Sequence, residues 1–200
     1  MKKLLLGIAA VCLAGFTFAQ DAPLWMRHSV ISPDGTTIAF TYKGDIYTVP
    51  VAGGRAMQIT TNPAYDTAPV WSPDSKRIAF ASDRMGSLDV YIVAKDGGEP
   101  RRLTTHSGSE TPLAFTDAGH VLFSAGIMPS AEAVVFPSNG QFNQVYRVSV
   151  EGGRPTMISS MPMECISINK EGAMLYQDKK GYEDYWRKHH VSPIARDIWM

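Results

Sequence analysis

Seven side chains of this 200-residue sequence are candidates for ligand binding. Four stand between repeated strand segments, and three lie in a long insert near the C terminus: Asp66, His106, Glu110, Glu164, Arg187, His189 and His190. Loops gathered at one end of a repeat fold often form a binding surface, so we interpret these residues as the rim of such a surface. Solvated loop carboxylates and a surface histidine remain the alternative interpretation.

The sequence predicts neither a metal site nor a catalytic centre. His189 and His190 are adjacent, so on a strand they would point to opposite faces, and no third ligand follows at a recognisable spacing. No G-x-S-x-G turn, H-E-x-x-H motif or glycine-rich phosphate loop occurs in these residues. Ser107 and Ser109 flank a glycine in what we interpret as a turn between repeats. We therefore predict no catalytic residue, no metal and no cofactor.

A short phrase recurs along the chain and accounts for much of its pattern. "ISPDGTTIAF" at 31–40 is followed by "WSPDSKRIAF" at 71–80, with looser copies at 115–123 and 168–176. Proline presets φ for the second position of a turn, and aspartate and glycine suit the next two positions. The phrase thus predicts a hairpin that joins the innermost strand of a repeat to its second strand. Equivalent aromatic residues follow, and we expect each to be buried: Phe40, Phe80, Phe123 and Tyr176.

A second phrase recurs in the same rhythm. "DIYTVPVAGG" at 45–54 matches "DVYIVAKDGG" at 89–98 and "QVYRVSVEGG" at 144–153, and each copy ends at a Gly-Gly turn. Together the two phrases give units of four short strands, which predict an all-β fold, a β-propeller of four-stranded blades. The predicted blades cover about 24–61, 62–105, 106–160 and 161–200. The last is incomplete, so we expect about three and a half blades of an incomplete ring and a fragment of a larger protein.

The N terminus has the pattern of a cleavable signal peptide. Lys2 and Lys3 precede an apolar run at 4–16 that is too short to span a bilayer, and small residues suit cleavage after Ala19. We therefore expect residues 1–19 to be removed and residues 20–200 to be exported, most simply to the periplasm. Cys165 would then be the one cysteine, which we expect to be a small buried apolar residue rather than a nucleophile.

Composition excludes one class of partner. Lys+Arg and Asp+Glu each number 19, and no basic cluster is interleaved with aromatic residues. Nothing in this balance favours nucleic acid, and beyond the signal peptide nothing indicates a membrane. Two inserts, at 124–143 and 177–196, fall in loops at the end opposite the Ser-Pro-Asp turns, where we place the rim residues.

The repeats resemble the blades of TolB-type propellers. "APLWMRHSVISPDGTTIAFTYKGDIYTVPVAGG" at 22–54 and "GYEDYWRKHHVSPIARDIW" at 181–199 are similar to the N-terminal propeller of tricorn-protease-like serine peptidases. The resemblance covers essentially all of residues 22–200. It implies a multidomain peptidase whose catalytic residues lie in a C-terminal domain outside this segment.

The resemblance also implies a role for the propeller. This portion would gate or guide unfolded peptides or oligopeptides towards the distant active site, in a full-length protein that forms a homo-oligomer. Two alternatives stay open. One is a TolB-like periplasmic propeller that only binds proteins, although in that family the blades usually follow a separate α/β domain. The other is a prolyl-oligopeptidase-type hydrolase with a G-x-S-x-G serine downstream.

Overall fold

The computed structural model describes residues 25–126, 143–161, 163–169, 171–178 and 198–200. All regular elements in these ranges are β-strands, and they form four antiparallel sheets of strands consecutive in sequence. The first sheet contains β1 (Arg27–Ile31), β2 (Thr37–Tyr42), β3 (Asp45–Pro50) and β4 (Met57–Gln58). The second contains β5 (Asp66–Trp71), β6 (Arg77–Ser82), β7 (Asp89–Ala94) and β8 (Arg101–Arg102).

The remaining two sheets continue the same meander. The third contains β9 (Glu110–Asp117), β10 (His120–Ala125), β11 (Gln144–Ser149) and β12 (Thr156–Ser159). The fourth contains β13 (Met163–Ile168), β14 (Met174–Asp178) and β15 (Ile198–Trp199). The first strands pack in series, β1 on β5, β5 on β9 and β9 on β13, as the inner strands of consecutive propeller blades do. The predicted all-β propeller with four-stranded blades is confirmed.

The Ser-Pro-Asp phrase forms the hairpin that the sequence predicts, between β1 and β2 and again between β5 and β6. In the first copy Ser32 Oγ donates to Asp34 Oδ1 at 2.5 Å and accepts from Thr37 N–H at 3.0 Å. Ser75 of the second copy has a positive φ of 58° and accepts a hydrogen bond from Asp34 N–H at 3.1 Å. Hydrogen bonds therefore form both within the first turn and between it and the neighbouring turn.

The core consists of apolar layers between sheets. Cross-strand aromatic pairs recur at one register position, with ring centroids 5.7 to 6.0 Å apart: Phe40–Tyr47, Phe80–Tyr91 and Phe123–Tyr146. The three phenylalanines are buried as predicted. Tyr176 is only partly buried, since its cross-strand partner Trp199 belongs to a two-residue strand and is itself exposed.

A bulge interrupts the first strand of each sheet. The repeated sequence phrases did not predict it. The pairing of β9 with β10 is also shifted, and in β1, β5 and β13 the shift falls at a residue with a positive φ, which is 52° at both Ala68 and Cys165. The expectation that Cys165 is buried is wrong: Cys165 lies at the bulge of β13 and is exposed.

Several predicted features lie outside the described residues. They are the signal peptide at 1–19, most of the inserts at 124–143 and 177–196, and the side chains of Arg187, His189 and His190. Within the described ranges no helix is long and apolar enough to cross a membrane.

Candidate functional site

The buried carboxylates that the structure brings together with charged partners lie at the end of the blades opposite the Ser-Pro-Asp turns. There β5 begins beside β3 of the first sheet, and β9 begins beside β7 of the second sheet. We call the interface between the first and second sheets at this end the first seam; it comprises Asp45, Thr60, Asp66 and Arg84. The second seam, between the second and third sheets, comprises Asp89, Arg102, Thr104, His106 and Glu110.

The first seam is held by a buried ion pair. Asp66 is fully buried, and Arg84 Nη2 lies 3.0 Å from each of its carboxylate oxygens. The guanidinium of Arg84 also stacks over Tyr91, 4.5 Å from the ring centroid, and donates from Nε to Ser82. Asp66 is therefore neutralised inside the seam, and its role there is structural.

Asp45, the second carboxylate of the first seam, is partly exposed. It accepts hydrogen bonds from Gln58 Nε2 at 3.0 Å and from Thr60 Oγ1 at 3.3 Å. Burial raises the pKa of the Asp45 carboxyl, and the nearby Asp66 adds to the rise, whereas Thr60 and Gln58 oppose it. Each carboxylate of this seam thus has its own donors.

The second seam holds its carboxylates differently. Asp89 and Glu110 are both fully buried. Thr104 Oγ1 donates to Glu110 Oε2 at 2.8 Å, Arg102 Nη2 lies 2.8 Å from Asp89 Oδ2, and His106 Nδ1 lies 3.5 Å from Glu110 Oε1. Two buried carboxylates consequently face one guanidinium, and the imidazole lies beyond hydrogen-bonding distance.

The surroundings of Glu110 change its acidity. Burial raises the pKa of the Glu110 carboxyl to about 7. The adjacent Asp89 also raises it, while the Thr104 hydroxyl and the Arg102 cation act in the opposite direction. Glu110 can therefore gain or lose a proton near neutral pH, a property expected of functional sites but also found in structural ion-pair networks.

The two seams repeat the same backbone pattern 44 residues apart (positions 66 and 110). Asp66 N–H donates to Gly44 O and Glu110 N–H to Leu88 O, both at 2.7 Å. The hydroxyl of Thr60 accepts from Ile46 N–H and that of Thr104 from Val90 N–H, both at 2.9 Å. Side chains that differ between the seams therefore occupy equivalent sites.

Sequence reasoning selected Asp66, His106 and Glu110, and the structure places all three at the seams. It missed Asp89, Arg84 and Arg102, although the period of 44 offered a signal. Asp89 repeats Asp45, and Arg102 falls where the first repeat has Gln58.

Glu164 does not share the position of Asp66 and Glu110. Met163 of β13 pairs with Asp178 as Asp66 pairs with Ser82, so Glu164 lies one residue further along its strand. Successive side chains of a strand point to opposite faces. Glu164 therefore belongs to the other face of its sheet.

An open groove of about 660 Å³ lies beside the seams. Its lining includes Arg84, Arg102 and Tyr91, together with Thr60 and Asn62 from the end of the first repeat. Both guanidiniums already serve buried carboxylates. Among the described residues no three His, Cys, Asp or Glu side chains are grouped so as to hold a metal ion.

Comparisons with known proteins agree with this architecture. The chain is 25% identical over 180 residues to tricorn protease homolog 1 of Streptomyces coelicolor, which covers 90% of this chain and 16% of that protein. The structure of TolB from Acinetobacter baumannii matches with a TM-score of 0.60 at 18% identity, over 87% of this chain and 40% of that one. The crystal structure of the tricorn protease matches with a TM-score of 0.53 at 12% identity, over 79% of this chain and 19% of that one.

The two structural matches show the fold alone, at these identities. The chain spans only 16% of the length of the Streptomyces relative, so what that whole protein does is a separate question. Family membership rests on a separate match, because residues 23–200 match the family model of the "Tricorn protease N-terminal beta propeller domain". With its four consecutive blades and this match over nearly its whole length, the chain belongs to the tricorn protease N-terminal β-propeller family.

Proposed function

We propose that this chain is the N-terminal propeller portion of an exported tricorn-like serine peptidase, and that it guides peptides to a catalytic domain outside these residues. The observation that carries the proposal is the family match over residues 23–200. The similarity to a tricorn protease homologue over 90% of the chain supports it. Peptides or oligopeptides are the proposed substrates, and a homo-oligomer is the proposed state of the full-length protein.

The distribution of side chains suits a conduit rather than a reaction centre. The buried carboxylates Asp66, Asp89 and Glu110 lie between sheets, where a substrate does not reach them. Apolar residues of successive first strands line an open hollow of about 410 Å³ near the Ser-Pro-Asp turns, among them Val30, Val70 and Ile166. We propose that peptides pass along the first strands, and that the seams keep the blades in register.

Export is the second part of the proposal. It rests on the basic and apolar pattern of residues 1–19. Expression in a Gram-negative host should yield a soluble periplasmic protein that begins at Gln20, measured by mass spectrometry of the purified product. A cytosolic protein that retains Met1 would contradict it.

Peptidase activity is tested on two proteins, the full-length polypeptide and residues 20–200. We expect a panel of fluorogenic peptides to be hydrolysed by the full-length protein and not by residues 20–200, with a serine-directed inhibitor as the control. Inhibitor-sensitive turnover by purified residues 20–200 would show that catalysis resides here and would overturn the guiding role.

A protein-binding propeller without enzymatic activity is the second candidate function. It is favoured by the fold match to TolB, which covers more of this chain than the tricorn protease match does. Absence of turnover by the full-length protein, together with capture of a partner protein by residues 20–200, would favour this candidate.

A further inference from the structure

The second seam contains buried acceptor atoms that lack donors. Among the residues that the structure describes, none donates a hydrogen bond to either oxygen of Asp89 or to Glu110 Oε1, although both residues are fully buried. Only Glu110 Oε2 is satisfied, by the hydroxyl of Thr104. A buried acceptor without a donor costs its full desolvation free energy, so three such atoms in one place require an explanation.

The charged groups near these oxygen atoms do not supply the missing hydrogen bonds. Arg102 approaches Asp89 Oδ2 at 2.8 Å without hydrogen-bond alignment, and its Nε has no acceptor. His106 Nδ1 is the acceptor for Gly108 N–H at 3.1 Å, so in this arrangement it does not donate to Glu110. Asp66 and Arg84 satisfy each other in the first seam. One cation therefore serves two carboxylates.

Glu110 N–H donates to the carbonyl of Leu88, the residue before Asp89, at 2.7 Å, and a side-chain hydrogen bond with Asp89 is among the causes that raise the pKa of Glu110. We propose that Asp89 and Glu110 hold one proton between them, taken from solvent, and that this shared proton closes the second seam. The proton on one carboxyl makes it a donor to the other, so the pair carries one negative charge, which Arg102 balances.

A metal ion is a poorer occupant than a proton. The guanidinium of Arg102 stands beside Asp89 and would repel a cation. A proton needs only two oxygens, which the pair provides.

The direction of the pH effect follows from the pKa of Glu110, raised from its ordinary value of 4.5 to about 7. A carboxyl whose pKa is raised on folding stabilises the folded seam while it is protonated. The contribution is fully present below pH 4.5 and is lost as the pH rises through about 7. The second seam should thus be tighter in mild acid and looser in alkali.

Hydrogen exchange measured by mass spectrometry on the full-length protein tests the proposal. The amides of Val90 and Glu110 report the second seam, and those of Ile46 and Asp66, which make the equivalent bonds, report the first as an internal reference. Between about pH 5.5 and about pH 8.5, protection of the second seam relative to the first should fall about tenfold or more. A constant ratio would overturn the proposal.

Three variants test whether the carboxyl of Glu110, rather than His106 or an exposed carboxyl, causes the pH dependence. Glu110→Gln supplies a permanent N–H donor to Asp89 and should abolish the pH dependence while keeping the seam protected at about pH 8.5. Glu99→Gln, the same change at an exposed site, should behave as the unmodified protein does. His106→Asn copies Asn62 of the first repeat, whose side chain accepts Ala64 N–H, and should retain the pH dependence.

Two outcomes would contradict the assignment. Persistence of the pH dependence in Glu110→Gln, or its loss in His106→Asn, would place the proton elsewhere. If Glu110→Gln fails to fold, Glu110→Asp withdraws the carboxyl by one methylene from Asp89, and an undiminished pH dependence in that variant would equally overturn the proposal.

Discussion

In the first seam Asp66 is held by both its oxygens against Arg84, whereas in the second seam Glu110, at the equivalent position, has one hydroxyl donor and a second carboxyl beside it. The backbone bonds around the two residues are the same in length and direction. Asp66 is held in an ion pair with a guanidinium, whereas Glu110, one methylene longer, has a pKa that burial raises. A repeated scaffold can therefore carry a fixed contact in one copy and a pH-dependent one in the next.

The difference between the seams also shows where stability resides. Both interfaces bury an apolar layer of the same kind, because Phe80 and Phe123 each face the sheet that precedes them and are fully buried. The ionic contacts, in contrast, differ between the first and the second seam. Substitutions that separate the two contributions sharpen the comparison.

The largest effect is expected from the aromatic layer. Phe80→Ala should destabilise the propeller by about 3 to 5 kcal/mol through loss of burial and the cavity it leaves. Phe123→Ala should cost slightly less, since the guanidinium of Arg84 lies 5.6 Å from the Phe80 ring, whereas no cation of the described residues lies over the Phe123 ring. Denaturant dependence of hydrogen exchange in β6 and β10 measures both. Lys76→Ala, at an exposed site, is the control, and an equal cost for Lys76 and Phe80 would show that the repeat register is misassigned.

A smaller effect is expected from the buried ion pair. Asp66→Asn leaves Arg84 without its anion and should cost about 3 kcal/mol near neutral pH. Glu110→Gln should cost much less under the same conditions, because no arginine pairs with Glu110. The exposed pair Arg101–Glu151 provides the control, and Arg101→Ala should change the free energy of unfolding by less than about 1 kcal/mol. Equal losses for Asp66→Asn and Glu110→Gln would remove the distinction between the seams.

The smallest effect is expected from the two threonines that cap the third strands. Thr60→Val and Thr104→Val each leave a buried N–H without an acceptor, which should lower the free energy of unfolding by about 1 to 3 kcal/mol. Only Thr104→Val also removes a donor to Glu110, so it should raise the pKa of Glu110 further and shift the pH dependence of the second seam to higher pH. Hydrogen exchange of Val90 as a function of pH measures this shift. The same shift in Thr60→Val would contradict it.

Much of the fold could be predicted because its signals are local. Each Ser-Pro-Asp turn closes through hydrogen bonds among residues at most five apart, such as Ser32 Oγ with Asp34 and with Thr37 N–H. Each Gly-Gly turn uses positive φ angles that glycine adopts without strain, as at Gly97 and Gly98. Such contacts join residues that are close in sequence, so they can be recognised from the sequence alone. Their recurrence gives the repeat period of the blades.

The candidate site was predicted only in part. Its carboxylates were located at one end of the blades, but their partners were not, because Asp66 meets Arg84 and Glu110 meets Asp89 across strands and sheets. The expectation of burial for Cys165 failed for a related reason. A bulge is a mismatch between two paired strands, and one strand's sequence does not reveal it.

By itself the sequence determined the strand order, the turn chemistry and the period of the blades, since each depends on backbone preferences of neighbouring residues. Only the tertiary structure decided which acids are buried and which have a cation. Asp45 and Asp89 occupy the same place in the repeat, yet one is partly exposed with two donors and the other is fully buried beside Glu110. Charge burial depends on every element packed around a group, and that environment exists only once the sheets have come together.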